Sequence, residues 1–139
     1  MTLGELLSSI LINLQSIFKN SVNIENLTFP KVLALLIIPL DGIEMSMLSR
    51  KLGVDNSTTT RLIIGMETDG LVERKRSKKD RRVICVFLTK SGELLYKEIE
   101  LQVDKIGVHL HKKMQHLDKH NIIEALIDLN WALIKEIKN

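Results

Sequence analysis

The sequence has few cysteines, prolines and aromatic residues, and no long uncharged apolar run. One cysteine among 139 residues excludes an internal disulfide framework and is typical of the reducing cytoplasm. Two prolines, 4% aromatic residues and an apolar fraction of 45% that is mostly Leu and Ile favour a helical globular chain. No stretch reaches the roughly 18 apolar residues of a membrane span, and segment 8–18 lacks the basic start of a signal peptide. We therefore predict a single cytoplasmic chain over residues 1–139 without membrane contact.

Groups for catalysis are lacking as well. The sequence shows no set of nucleophile, base and orienting residue, no Gly-rich phosphate loop and no paired carboxylates at a useful spacing. We expect no enzymatic activity and no cofactor.

Basic residues, in contrast, are concentrated in one short segment. Between Leu71 and Lys90 there are eight Lys and Arg residues against two acidic ones, a net charge of +6 in a chain of +3. Strand-like stretches on either side predict a hairpin, with a strand over 71–76, a tip at 77–81 and a return strand over 82–88. Seven basic residues within nine positions repel one another. We therefore expect an anionic partner, and double-stranded DNA is the partner that fits a basic hairpin.

Two short helices are predicted directly before this hairpin. The first covers 45–52 and ends at Gly53, and the second begins after Asp55 or Asn56 and runs to about Thr68. Two helices joined by a short glycine-containing turn form a helix-turn-helix, and the hairpin that follows makes it a winged one. The fold class we predict is mainly α with a small β wing.

The ends of the chain carry long apolar stripes at helical spacing. They predict a helix over 3–18, a helix from Thr89 to about 117, a break at 118–121 and a last helix over 122–138. A further buried helix begins at Thr28. These end segments are too apolar to be exposed, so we expect residues 1–26 and 90–139 to be dimerisation helices around a DNA-binding region at 27–89. Alternatively, they pack on the winged region of their own chain.

The candidate DNA contacts fall on the second helix and on the tip of the hairpin. Amide, hydroxyl and guanidinium groups near the start of a recognition helix can read base edges, and a basic wing tip can reach phosphates or the minor groove. An alternative for the helix is that the hydroxyl run only caps it, with Thr59 or Thr60 turned inward. The residues are Asn56, Ser57, Thr59, Thr60 and Arg61 on the helix; Lys78, Lys79, Arg81 and Arg82 on the wing; and Arg50 and Lys51 as further phosphate contacts.

The order of these segments resembles the MarR family of bacterial and archaeal regulators. The resemblance covers roughly residues 27 to 92, through LSRKLGV (48–54), STTTRLI (57–63), DGLVER (69–74) and DRRVICVFLTKSG (80–92). It implies a homodimeric repressor, less often an activator, that a small molecule or an oxidant releases from a pseudo-palindromic operator. It also implies that Arg82 enters the minor groove and that Asp80 orients it.

The sequence departs from the family pattern at several positions. Lys31 and Val32 replace the usual Gln and aromatic residue, and Glu44 stands where a Thr or Ser cap is usual. Gly65 lies inside the recognition helix, where glycine costs about 1 kcal/mol relative to alanine, so we expect close packing or a bend there.

The remaining candidates are a lone thiol and three histidines. Cys85 falls on the return strand and is expected to be a half-buried structural thiol, since redox sensors of this family carry their cysteine near the N-terminus. His109, His116 and His120 have spacings that could bind zinc, but without a cysteine ligand a solvated polar face is the better interpretation.

An effector pocket should lie between the dimerisation helices and the winged region, and the sequence does not identify its ligand. The rival to a DNA-binding regulator is a winged-helix module for protein–protein contact.

Overall fold

Six helices and three short strands make up the computed structural model, which describes residues 1–138. The helices are α1 (Leu3–Ser21), α2 (Phe29–Ile37), α3 (Met45–Leu52), α4 (Asn56–Thr68), α5 (Lys90–Lys113) and α6 (Lys119–Lys138). The strands are β1 (Ile43–Glu44), β2 (Val72–Arg76) and β3 (Ile84–Leu88). This architecture confirms the predicted fold class.

The helix-turn-helix is α3 and α4, with the boundaries that the sequence predicts. Gly53 ends α3 in the left-handed conformation with φ 70°, which costs glycine little. Asp55 then begins α4, and its carboxylate accepts a hydrogen bond from the Thr58 N–H at 2.7 Å. Three residues of turn therefore suffice to redirect the chain.

The wing is an antiparallel sheet in the order β1-β3-β2. Val86 lies at its centre, opposite Ile43 on one side and Arg74 on the other. The prediction missed β1, which has only two residues and is defined by its pairing with β3. The return strand begins at Ile84 rather than at 82, because the Val83 N–H bonds back to the Asp80 carbonyl at 3.0 Å.

The buried core lies where α2, α3, α4, the sheet and one face of α5 meet. Its fully buried large side chains come from all of these elements: Leu35, Leu48, Ile63, Met66, Val86 and Ile99. Thr28 lies at the N-cap of α2 as predicted, but its side chain makes no capping hydrogen bond, and Pro30 occupies the first turn. The core therefore fixes the recognition helix and the wing on one scaffold.

The end helices differ from this core because α1 and α6 contain no buried residue. Leu11 on α1 is 66% exposed and Trp131 on α6 is 59% exposed. α5 ends at Lys113, four residues before the predicted end, and α6 begins at Lys119, three residues early. Asp118 explains the early start, since its carboxylate accepts the His120 N–H at 2.9 Å, and the predicted break becomes the first turn of a helix. No helix within residues 1–138 is both long and apolar enough to cross a membrane.

Candidate nucleic-acid interface

The start of α4 presents polar side chains to solvent. Asn56, Ser57 and Arg61 are exposed, and Thr60 is half-buried with its hydroxyl donating to the Asn56 carbonyl at 2.8 Å. Backbone hydrogen bonding from Thr58 lowers the pKa of the capping Asp55 carboxyl, so this cap is ionised at neutral pH. Four of the five side chains predicted for the recognition helix therefore remain accessible to a ligand.

Thr59 is the exception, and its predicted base contact is corrected by the structure. Its side chain is fully buried, accepts a hydrogen bond from the Ser49 hydroxyl at 2.7 Å and donates to the Asp55 carbonyl at 3.1 Å. A buried hydroxyl must be paired, and this one is paired across the helix-turn-helix. Thr59 therefore joins α3 to α4, and its side chain does not face the solvent in which DNA would bind.

The tip of the wing between β2 and β3 carries cations that face solvent. Lys78, Lys79 and Arg81 are exposed, and none of them forms an ion pair with another residue of the described chain. The Arg76 guanidinium donates to the Arg81 carbonyl at 2.8 Å and holds the tip in shape. This arrangement leaves three cations at the tip without an ion-pair partner in the described chain.

Asp80 and Arg82 form the one ion pair at the tip of the described chain. The Asp80 carboxylate accepts from Nε and Nη2 of Arg82, each at 3.1 Å, and from the Arg82 backbone N–H at 3.0 Å. The Arg82 side chain is nevertheless 91% exposed. Because both carboxylate oxygens hold the guanidinium, it projects in one direction while it stays open to solvent. The Arg82 side chain first, and its backbone N–H second, lower the pKa of Asp80.

A groove of about 350 Å³ separates α4 from the wing. Asn56 and Thr60 line it from the helix, and Arg82 and Arg74 line it from the wing. Two residues of the predicted helix set, Asn56 and Thr60, and one of the predicted wing set, Arg82, therefore line one concavity, together with residues of β1 and α3. Arg50 and Lys51 lie in the exposed last turn of α3 and are not among the residues that line it.

Three basic residues of β2 belong to the basic segment but are not among the predicted site residues. Lys75 and Arg76 are exposed, and the Lys75 ammonium lies 3.4 Å from the Glu73 carboxylate. Arg74 is half-buried, and its Nε lies 2.6 Å from Oε1 of Glu67 on α4. The sequence contains no signal for the Glu67–Arg74 pair, since it forms across the corner between helix and strand.

The thiol and the histidines lie apart from this groove. Cys85 is half-buried on β3, as predicted, opposite Glu44 and Lys75 in the sheet. His109, His116 and His120 are exposed, and His120 Nε2 lies 3.1 Å from the Glu124 carboxylate. Within residues 1–138 no three His, Cys, Asp or Glu side chains come together as a metal site would require.

Comparisons with known proteins identify sequences similar to this chain. The profile of the MarR family matches residues 30–84. The organic hydroperoxide resistance transcriptional regulator of Bacillus subtilis (strain 168) is 37% identical over 71 residues, which are 50% of this chain and 48% of that protein. The match thus spans about half the length of that curated relative.

Solved structures are similar over nearly the whole chain. A structure described as the multiple antibiotic resistance repressor, MarR, superposes with a TM-score of 0.82 and 21% identity, covering 93% of this chain and 95% of that one. Streptococcus pneumoniae FabT in complex with DNA superposes with a TM-score of 0.69 and 25% identity, covering 95% of each chain. The similarity covers more than nine tenths of this chain in both comparisons.

Proposed function

The chain belongs to the MarR family of winged helix-turn-helix transcriptional regulators, and from this premise we propose that it is a homodimer that binds a pseudo-palindromic operator in double-stranded DNA. The observation that carries the proposal is the shared groove between α4 and the wing, with Asn56 and Thr60 on one wall and the Asp80-held Arg82 on the other. A recognition helix in the major groove would bring this wing against the adjacent backbone and minor groove. We expect such a regulator in the cytoplasm, because that compartment holds the DNA that it binds.

Each predicted contact except Thr59 has a role in the proposed complex. Asn56, Ser57, Thr60 and Arg61 meet base edges or nearby phosphates. Arg82 enters the minor groove with Asp80 as its orienting partner, and Lys78, Lys79 and Arg81 bind phosphates around it. Arg50 and Lys51 add phosphate contacts from α3. The charge of the wing favours this function over a protein–protein module, whose interface would be depleted of unpaired lysines.

The end helices support the proposed dimer. α1 and α6 have no fully buried side chain within one chain, although both carry large apolar residues; Ile17 and Phe18 of α1 pack partly against the core. A second copy that covers these helices would remove this surface from water. We assign residues 1–26 and 90–139 to the dimer and residues 27–89 to the DNA-binding region.

The family to which the chain belongs supports a repressor that a small molecule releases. A groove of about 770 Å³ between the end of α1 and α5 could hold such an effector; its lining includes Ile17, Gln102, Lys105 and Lys113. The name of the Bacillus subtilis relative suggests organic hydroperoxides as a second class of signal, for which Cys85 is the one thiol. A metal-sensing version would need His109, His116 or His120 to meet ligands of a second copy.

The salt dependence of DNA binding tests the proposal. Fluorescence anisotropy on a random duplex should show affinity that falls steeply with salt, because phosphate contacts release counterions. No binding at about 50 mM salt would contradict DNA binding. Selection of bound fragments from genomic DNA should then yield half-sites about one helical turn apart.

Charge reversal separates a specific wing contact from general electrostatics. Changing Lys78, Lys79, Arg81 and Arg82 together to Glu should abolish binding while light scattering and circular dichroism stay those of the wild type. A single-site pair gives the matched control: Lys79→Glu on the wing and Lys97→Glu on the exposed side of α5 change the net charge equally. Only Lys79→Glu should flatten the salt slope, by about 0.9 for each phosphate that the protein no longer neutralises.

A further inference from the structure

The covalent link between the recognition helix and the wing is a single tight corner. Gly70 takes φ 75° there, and its N–H bonds to the Glu67 carbonyl at 2.9 Å while the Leu71 N–H bonds to the Met66 carbonyl at 2.9 Å. β2 begins two residues after Gly70. The direction of the wing relative to α4 therefore depends on what holds this corner.

Two ion pairs lie on either side of the corner, and they connect different elements. Glu67 near the end of α4 pairs with Arg74 on β2 at 2.6 Å, and both side chains are about one third exposed. Asp69 pairs with Lys31 on α2 at 2.8 Å. The first pair spans from helix to wing, whereas the second attaches the same helix end to α2 and does not touch the wing.

Arg74 also differs from the other cations of the wing. It is half-buried opposite Val86, whose side chain is fully buried, and its charge is matched by Glu67, the one acidic residue in α4. It lies in the groove beside Arg82 and Thr60. A guanidinium held in this way contributes little free charge for phosphates, so its position calls for a different role.

We propose that Glu67 and Arg74 are a positioning pair that sets the angle of the wing relative to the recognition helix and thereby sets DNA sequence discrimination. The five-residue strand β2 is about 17 Å long, so a rotation of about 7° at the corner moves its far end by about 2 Å. Recognition groups need placement to within about 0.5 Å, which such a rotation exceeds. The pair resists this rotation because it joins the two elements beyond the hinge. This inference rests on the proposed DNA-binding function.

Two matched substitutions test it. Glu67→Gln and Asp69→Asn each convert an acid at the end of α4 into its amide, raise the net charge by one and break one ion pair. Each should raise affinity for a scrambled duplex, Glu67→Gln by the larger amount because it frees the Arg74 guanidinium in the groove. Only Glu67→Gln should lower the ratio of operator affinity to scrambled-duplex affinity, by about fivefold or more, since one misplaced base contact costs on this order. The operator is the fragment that the wild-type protein selects from genomic DNA.

A second variant keeps the test decisive if Glu67→Gln is poorly folded by circular dichroism. Arg74→Met should lower the same ratio without changing the salt slope, and the double variant should be no worse than either single one. The inference is overturned if Glu67→Gln and Asp69→Asn keep equal ratios, or if Arg74→Met flattens the salt slope by about 0.9, which would make Arg74 a direct phosphate contact. Failure of the wild-type protein to bind any duplex would instead overturn the proposed function itself.

Discussion

The Asp80 carboxylate accepts three hydrogen bonds from Arg82, two from the guanidinium and one from the backbone. These bonds favour the ionised acid and hold the pKa of Asp80 below its ordinary value of 3.8. A lowered pKa in the folded state means that the pair is intact above the ordinary value and is lost as the pH falls through the lowered one. Wing geometry should therefore be constant from about pH 5 to pH 8.

Carboxyl NMR titration of Asp80 measures this coupling. We expect Arg82→Ala to return the pKa of Asp80 toward 3.8. Asp55 provides an internal control, because Thr58 lowers its pKa and Arg82 is not among the causes, so its titration should not move. An Asp80 pKa that stays low in Arg82→Ala would mean that other cations of the tip, rather than the pair, determine it.

Thr59 and Thr60 are neighbours in α4 with opposite surroundings, and valine substitutions should separate their roles. Thr59→Val removes a buried hydroxyl, but the Ser49 hydroxyl keeps the Met45 carbonyl as a partner at 3.1 Å. The free energy of unfolding should therefore fall by only about 1 kcal/mol. Operator affinity at a temperature where the protein is folded should not change. Thr60→Val should leave stability within about 0.5 kcal/mol and weaken operator binding several-fold.

Urea unfolding and anisotropy on the same samples distinguish the two effects. A loss of operator affinity in Thr59→Val with unchanged stability would contradict the assignment of Thr59 to the core. The sequence places both residues on one helix but cannot orient them. The Ser49–Thr59 bond depends on how α3 packs on α4, and that packing is not a local property of the chain.

At the scale of elements, the sequence predicts best where a residue acts on its own neighbours. Gly53, Asp55 and Thr89 set the ends of α3, α4 and α5 through local turns and caps, and the structure has those boundaries. The prediction misses β1 because two residues become a strand only by pairing with Val86 and Cys85, far along the chain. It misplaces the α5–α6 junction because Asp118, which looks like part of a break, bonds to the first turn of α6.

Two glycines give substitutions of opposite sign. At Gly92 a Cβ would collide with the Leu71 carbonyl oxygen at the base of the wing. Gly92→Ala should therefore lower the free energy of unfolding by about 2–3 kcal/mol. At Gly65 a Cβ would meet nothing within 4 Å, so the expected close packing is absent at this position of the described structure. Gly65→Ala should therefore stabilise α4 by about 1 kcal/mol.

Urea unfolding at one fixed protomer concentration measures both, since the proposed dimer would make stability depend on concentration. If Gly65→Ala were destabilising, either a second chain would occupy the space beside Gly65 or α4 would bend there. If Gly92→Ala were neutral, the close approach of α5 to Leu71 would be wrong.

At the scale of the whole molecule, one half of the chain is a packed core and the other half exposes apolar helices. Trp131, the single tryptophan, lies on α6 and is 59% exposed, and Leu126, five positions earlier on the same helix, is 55% exposed. In the proposed dimer both are covered by the second copy. Fluorescence of Trp131 therefore reports dimerisation without a label.

We expect light scattering to give twice the mass of one chain, with Trp131 emission at the short wavelengths of a buried indole. Leu126→Glu places a charge in the apolar interface, which is costly without a partner. It should produce a monomer, shift Trp131 emission to longer wavelength and reduce operator affinity to that of a single half-site. Ala125→Glu adds the same charge one position earlier, about 100° around α6 from Leu126 and about 120° from Trp131, and should remain a dimer. A wild-type protein that scatters as a monomer, or a Leu126→Glu variant that remains dimeric with unshifted emission, would show that α6 is not part of the interface and that two wings do not meet one operator in this way.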